Sequence, residues 1–330
     1  MRAAVITAPG GPDVLQIQQR PTPVPRNAEI LVRVHGSALN RADLMQRAGR
    51  YPAPPGAPAD IPGLEFAGEV VGHGPNSALW PMGSRVAGLV GGGAHAEYLV
   101  THERAVAAVP ETLPWDSAGA SLEACITAHD ALVTQANIRP GEFVLVHAAG
   151  SGVGLAAIQI ARQLGARVFG TARGQTKLDA AREAGMEAGM SPGQPGWVAN
   201  ATREWTGNRG IAVVLDLLGG DYLRESIPAM ALKGRLVLIG TLAGAECPLD
   251  LRAVLTRRLT IRGTVLRSRP LEERITVTQS FAREVMPWLA SGAVRTRIDA
   301  HFPLAELAAA HALLESNATV GKVAIRCAIE

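Results

Sequence analysis

With 330 residues, 47% apolar and only 4% aromatic, the chain exceeds one typical core and lacks the aromatics of a stacking or carbohydrate-binding surface. A formal charge of +3 is too small to demand a nucleic-acid partner, and Cys125, Cys247 and Cys327, never in a C-x-x-C pair, exclude a disulfide framework and a zinc ribbon. No run of about 18 apolar residues occurs and MRAAVITAPGG lacks the apolar core of a signal peptide, so the expectation is a cytoplasmic α/β protein of two domains with no membrane contact.

From Met1 to about Glu111 the chain alternates short apolar runs with turn residues: AAVITA, EILVRVHG, FAGEVVGHG, RVAGLV and AEYLV. These predict a mostly β lobe. RPTPVPRNAE and RYPAPPGAPADIPG, rich in proline and glycine, predict extended surface segments, the second a rim or lid. At SAGASLEACITAHDALVTQA the period becomes helical, with Asp116 or Ser117 as candidate N-caps, which places a boundary near residue 120. Strands and helices then alternate: EFVLVHA, a helix from Val153 to Gly165, RVFGTA, a helix from Gln175 to Glu183, AVVLDLL, a helix from Leu223 to Leu232, RLVLIG and RLTIRGTVL. That rhythm predicts a parallel sheet with crossover helices. Helices at Leu271 to Ser291 and Leu304 to Ser316 and a strand at GKVAIRC end the chain.

The most informative stretch is VLVHAAGSGVG. A buried strand runs into a turn at Gly150, Ser151 and Gly152, and Val153 opens a helix. The unpaired N–H groups and partial positive charge of a helix start suit an anion. The spacing is A-x-x-G-x-x-G rather than a strict G-x-G-x-x-G, but a second strand follows about 20 residues on, as a dinucleotide fold requires. That second strand runs out into FGTARGQTK, where an NAD-preferring unit usually carries an acid. Arg173 and Lys177 instead suit a 2′-phosphate through charge-assisted bonds of about 1.5–3 kcal/mol each, which predicts NADPH. Lys177 carries more weight, because only Lys177, Lys233 and Lys322 among 32 basic residues are lysine.

NRADLMQR, IPGLEFAGEVVGHG, GGGAHAEY, SGVGLAAIQ, LDLLGG and VLRSR resemble the medium-chain dehydrogenase/reductase superfamily, within it the zinc-free quinone oxidoreductases that include zeta-crystallin and their tumour-suppressor-inducible branch. The resemblance implies a Rossmann doubly wound parallel sheet plus a GroES-like, mostly β catalytic domain. It divides the chain into residues 1–120 (GroES-like), 121–268 (Rossmann) and 269–330, a return segment completing the catalytic domain. It implies cofactor contacts at Thr127, at Gly150 to Val153, at Ile239, Gly240 and Thr241, at Val265 and Leu266, and at Asn317.

Zinc-dependent relatives carry Cys where Asn40 stands and His where Leu64 stands, so a metal site of that kind lacks its ligands here. The expected metal is therefore none. Without a Lewis acid the chemistry favours acceptors that take hydride readily, quinones first and conjugated enones or alkenals as the alternative. The Asn40 amide and the Tyr51 hydroxyl are the expected donors to the developing oxyanion. Pro192 stands where relatives often place a tyrosine near the adenosine phosphate. TRRLTIRGTVLRSR, with Arg257, Arg258, Arg262, Arg267 and Arg269, raises a nucleotide-sensing or RNA-binding alternative, against which its alternation favours a strand with one solvated face. A homodimer is expected through sheet edges at Arg235 to Ile239 and Leu259 to Thr264.

Overall fold

The computed structural model describes residues 1–327. The chain forms two compact units, Met1–Ile126 with Leu266–Glu330, and Thr127–Val265. In the first stretch lie β1 (Arg2–Ile6), β2 (Leu15–Gln19), β3 (Glu29–Ala38), β4 (Glu65–His73), β5 (Arg85–Leu89), β6 (Tyr98–His102) and β7 (Val106–Ala108). Thr127–Val265 holds β8 (Phe143–His147), β9 (Arg167–Thr171), β10 (Ala188–Met190), β11 (Ile211–Asp216), β12 (Met230–Leu238) and β13 (Thr260–Gly263). The return segment adds β14 (Ile298–Pro303) and β15 (Lys322–Arg326).

In the first unit β1 and β2 form an antiparallel pair, and a larger sheet runs β14-β15-β3-β4-β5-β7, with β6 also paired to β3. Ile30, Val32 and Val34 of β3, two residues apart, all point inward, as a pleated strand with one buried face requires. They pack with Phe66, Val70, Val86 and Val106, and with Leu304, Leu307 and Leu314 of the return segment. Because β15 pairs antiparallel with β3, the chain's end completes a sheet begun near its start. Three helices precede β8: α1 (Arg41–Arg47), α2 (Trp115–Gly119) and α3 (Leu122–His129). Pro114 caps α2. The fixed φ of proline lets it precede the first turn, so the helix starts earlier than Asp116 or Ser117.

In the second unit six parallel strands are ordered β10-β9-β8-β11-β12-β13. The order reverses between β8 and β11, the arrangement in which ligands bind beyond the carboxyl ends of the strands. The connecting helices are α4 (Gly152–Gln163), α5 (Gln175–Glu183), α6 (Trp197–Thr206), α7 (Asp221–Ser226) and α8 (Leu251–Arg257). The helix expected from Leu223 to Leu232 stops at Ser226, passes through a 3-10 turn at Ile227–Ala229 and becomes β12. Pro228 has no N–H to continue the ladder. Two further expectations are corrected. β12 is flanked on both sides, so of the two proposed edges only β13 is one. All four residues of β13 are exposed, rather than alternating between a buried and a solvated face.

The tail carries α9 (Leu271–Glu284), α10 (Met286–Ser291) and α11 (Leu307–Glu315), the first two being one expected helix broken near Pro287. No helix among the described residues is long and apolar enough to cross a membrane.

Candidate active site

In the Thr127–Val265 unit the nucleotide cradle is built around the end of β8. Ser151 caps α4, its hydroxyl accepting the Gly154 N–H at 3.0 Å. The N–H groups of Gly152 and Val153 have no acceptor among the described residues. They are the donors that a helix start leaves for an anion. Two glycines are required by close approach: a β-carbon on Gly154 would stand 2.4 Å from the Ala148 carbonyl oxygen, and one on Gly150 would stand 2.6 Å from Cβ of Lys177. Lys177, on α5, therefore lies directly over the turn. Arg173 is exposed in the loop between β9 and α5, and no acid stands between them.

Further cofactor candidates of this unit follow the strands β12 and β13. Ile239, Gly240 and Thr241 follow β12, and the Ile239 N–H donates to Asp216 O at the end of β11. Val265 follows β13 and is half exposed, while Thr127 is buried in α3. Leu266 and Asn317 belong to the other unit. Leu266 is buried there, and Asn317, at φ 60°, accepts from Arg41 Nη2 at 2.5 Å.

His147 closes β8 just before the turn and is wholly buried. Its Nδ1 lies 2.8 Å from Thr171 Oγ1 at the end of β9, and its Nε2 lies 2.7 Å from Ser226 Oγ. The Ser226 hydroxyl already donates to Tyr222 O, so Nε2 carries the imidazole proton and Nδ1 accepts. Burial without a charged partner pushes this histidine down to about 3.

The first unit holds a buried polar network around Asn40, the residue that precedes α1. Lys322, on β15, directs its ammonium at Asn40 Oδ1 (2.6 Å), Glu65 Oε1 (2.7 Å) and Leu39 O (3.0 Å). Asn40 Nδ2 donates to Glu65 Oε1 at 2.9 Å and to Ala38 O at 3.4 Å. The Glu123 N–H on α3 donates to Glu65 Oε2 at 2.8 Å. Glu65 and Lys322 are both almost fully buried, and the pair is supported because all three ammonium protons and both carboxylate oxygens find partners. An ammonium thus already occupies the Asn40 carbonyl oxygen, and of the two amide hydrogens only the one on the long bond to Ala38 O is weakly held.

Tyr51 lies in the extended segment after α1. Arg267 spans from it to its neighbours: Nη1 donates to Tyr51 O (3.1 Å), Nη2 to Gln46 Oε1 (2.5 Å) and Nε to Gly91 O (2.9 Å). Its guanidinium carbon lies 4.9 Å from the centre of the Tyr51 ring. Burial raises the Tyr51 phenol above its usual value, so it holds its proton at neutral pH and can donate. Glu123 is pushed up to about 7, first by burial and then by the nearby Glu65 carboxylate. Beside these groups opens a narrow cleft lined by Leu64, Leu89, Val90, Leu266 and Val277 together with Glu123, Arg267 and Arg274.

Residues 26–111 match a family model described as the alcohol dehydrogenase GroES-like domain, and residues 152–289 one described as zinc-binding dehydrogenase. A quinone oxidoreductase of Pseudomonas aeruginosa is 32% identical over 321 residues, 96% of each chain. The chain belongs to the medium-chain dehydrogenase/reductase superfamily. Within that superfamily it is 28% identical to the human quinone oxidoreductase, over 98% of this chain and 97% of that one. It superposes on the Escherichia coli quinone oxidoreductase, solved in complex with NADPH, with a TM-score of 0.87 at 28% identity, covering 99% of this chain and all of the other. The Rossmann and GroES-like architecture expected for the superfamily is the one found. Among the described residues no three His, Cys, Asp or Glu side chains gather as a metal set.

The sequence pointed to Asn40 and Tyr51 as candidates, but not to Glu65, Glu123, Lys322, Arg267 and Arg274, which the structure places in the same unit. Lys322 carried a signal, as one of only three lysines. The arginine run that suggested nucleic acid is divided: Arg257 Nη1 donates to Pro228 O and Met230 O, whereas Arg267 is buried in the other unit.

Proposed function

We propose that the protein is an NADPH-dependent quinone oxidoreductase working without zinc. The observation that carries the reading is the glycine turn with Lys177 packed over Gly150 and no acid at the end of β9. The cradle fits the cofactor: Gly152 and Val153 offer free N–H groups to a pyrophosphate, and Lys177 with Arg173 offers cations to a 2′-phosphate. When bound, the reduced nicotinamide supplies one hydride; with one proton from the site or solvent, a quinone becomes a quinol and NADPH becomes NADP⁺.

The chain's own residues hold the acceptor and stabilise the charge that develops on its oxygen. The Tyr51 phenol donates to that oxygen, and the Asn40 hydrogen now on the long bond to Ala38 O is the second donor. Lys322 and Glu65 hold the Asn40 amide plane so that its nitrogen, not its oxygen, faces away from the ammonium. Zinc has little to bind at Asn40 and Leu64, since a carboxamide whose oxygen accepts from Lys322 and an alkyl chain make poor ligands. A homodimer through the exposed edge of β13 fits this reading, because that edge leaves unpaired backbone groups beside the exposed Ile261.

Consumption of reduced coenzyme with 2-methyl-1,4-naphthoquinone, NADPH against NADH, tests the reading. NADPH is expected to give at least a tenfold higher kcat/KM. Equal rates with both coenzymes, or no quinone-dependent oxidation of either, would remove it.

A further inference from the structure

The cavity of the first unit holds more positive charge than its walls balance. Arg267 gives all three of its nitrogens to neutral acceptors, two carbonyls and the Gln46 amide; among the described residues the buried Asp43 carboxylate acts on it only through space. Arg274, in the first turn of α9, lines the same cavity. Its Nε is buried and has no hydrogen-bond partner, and burial alone lowers its affinity for its proton. The single acid on the wall, Glu123, has no side-chain hydrogen bond among the described residues, and near neutral pH about half of it is uncharged. Two guanidinium groups thus face one half-neutral carboxyl across aliphatic walls.

A half-buried guanidinium with no carboxylate beside it gains from an anion that supplies both charge and acceptor atoms. Val277 lies one turn beyond Arg274 on α9, so an apolar surface adjoins the guanidinium. A ligand suited to this cavity has a compact unsaturated body against Leu64, Leu89, Val90 and Val277, and a carboxylate or sulfonate on Arg274.

We propose that this cavity is an anion subsite for the acceptor and that Arg274 is a specificity-determining residue, making small anionic conjugated acceptors the preferred substrates over neutral ones. The inference rests on the oxidoreductase reading for its kinetics, but the site itself is open to a test without turnover. Titration calorimetry of the full chain with 2-naphthoate and with neutral 2-naphthamide, with and without NADP⁺, reads the subsite directly. Binding of 2-naphthoate at least tenfold tighter than the amide, lost in Arg274→Met and restored in Arg274→Lys, supports it. No saturable heat with 2-naphthoate under either condition, or equal affinity for acid and amide, overturns it.

Kinetics with 1,4-naphthoquinone-2-sulfonate and 2-methyl-1,4-naphthoquinone give the second readout. Arg274→Met is expected to raise KM for the sulfonate at least tenfold, to leave kcat within threefold, and to leave the neutral quinone's KM within twofold. A variant that changes both KM values by one common factor overturns the inference while leaving the quinone reductase reading intact. Loss of all quinone turnover in the wild type, with 2-naphthoate still bound, would do the reverse. Thermal melting of Arg274→Met and Arg274→Lys establishes that both fold.

Discussion

His147 links the nucleotide cradle to acid stability in a way that can be measured. In the unfolded chain it titrates near 6.5, and in the native chain near 3. A native pKa below the unfolded one means that the unfolded chain takes up the proton first, so stability present above pH 6.5 is lost as pH falls toward 3. At pH 4.5, two units below the unfolded value, the penalty from this one residue is about 2–3 kcal/mol. His147→Gln cannot charge, yet it can accept from Thr171 and donate to Ser226 as the imidazole does. Urea unfolding of both proteins at pH 7 and pH 4.5 should show the wild type losing about 2–3 kcal/mol more than the variant. His311, driven to about 2 by burial and by its charged and histidine neighbours, contributes to the fall in both proteins and cancels in the difference. Parallel losses in the two proteins would refute the claim that His147 is buried neutral at the end of β8.

Two other outcomes follow from the network and the cradle. Lys177→Ala should raise KM for NADPH about tenfold and leave that for NADH within twofold, the loss of one charge-assisted bond, as steady-state kinetics with each coenzyme would show. Lys322→Met leaves Glu65 buried without its ammonium and should cost about 3–5 kcal/mol by denaturant unfolding, part of which returns when Glu65→Gln is added.

The dinucleotide unit was legible because its signals are local. β8, the turn, α4, β9 and α5 occupy one continuous stretch, and the residues that shape the cradle, Gly150 and Lys177, are only 27 positions apart, within a single supersecondary unit. The elements misjudged there were those where a proline or an exposed surface overrode periodicity: Pro228 turned the expected end of a helix into β12, and β13 lies exposed along its whole length.

The candidate site of the first unit was legible only at the residues that lie beside each other in the chain or carry a family word. Asn40 and Tyr51 stand in NRADLMQRAGRY, but the groups that hold them come from far away: Lys322 meets Glu65 across 257 positions, and Arg267 reaches Gln46 across 221. No periodicity connects such pairs, since strand and helix patterns report only which face of an element is buried. Composition still marked some of them. A lone acid in the apolar helix SLEACITA, and a lysine in the buried strand GKVAIRC, each placed a charge where an apolar residue would have been cheaper. Lys322 and Glu65 answer each other, whereas among the described residues the Glu123 carboxyl and Arg274 have no such partner beside the same cleft. A half-buried charge left in that state is best matched by a substrate that brings its own countercharge.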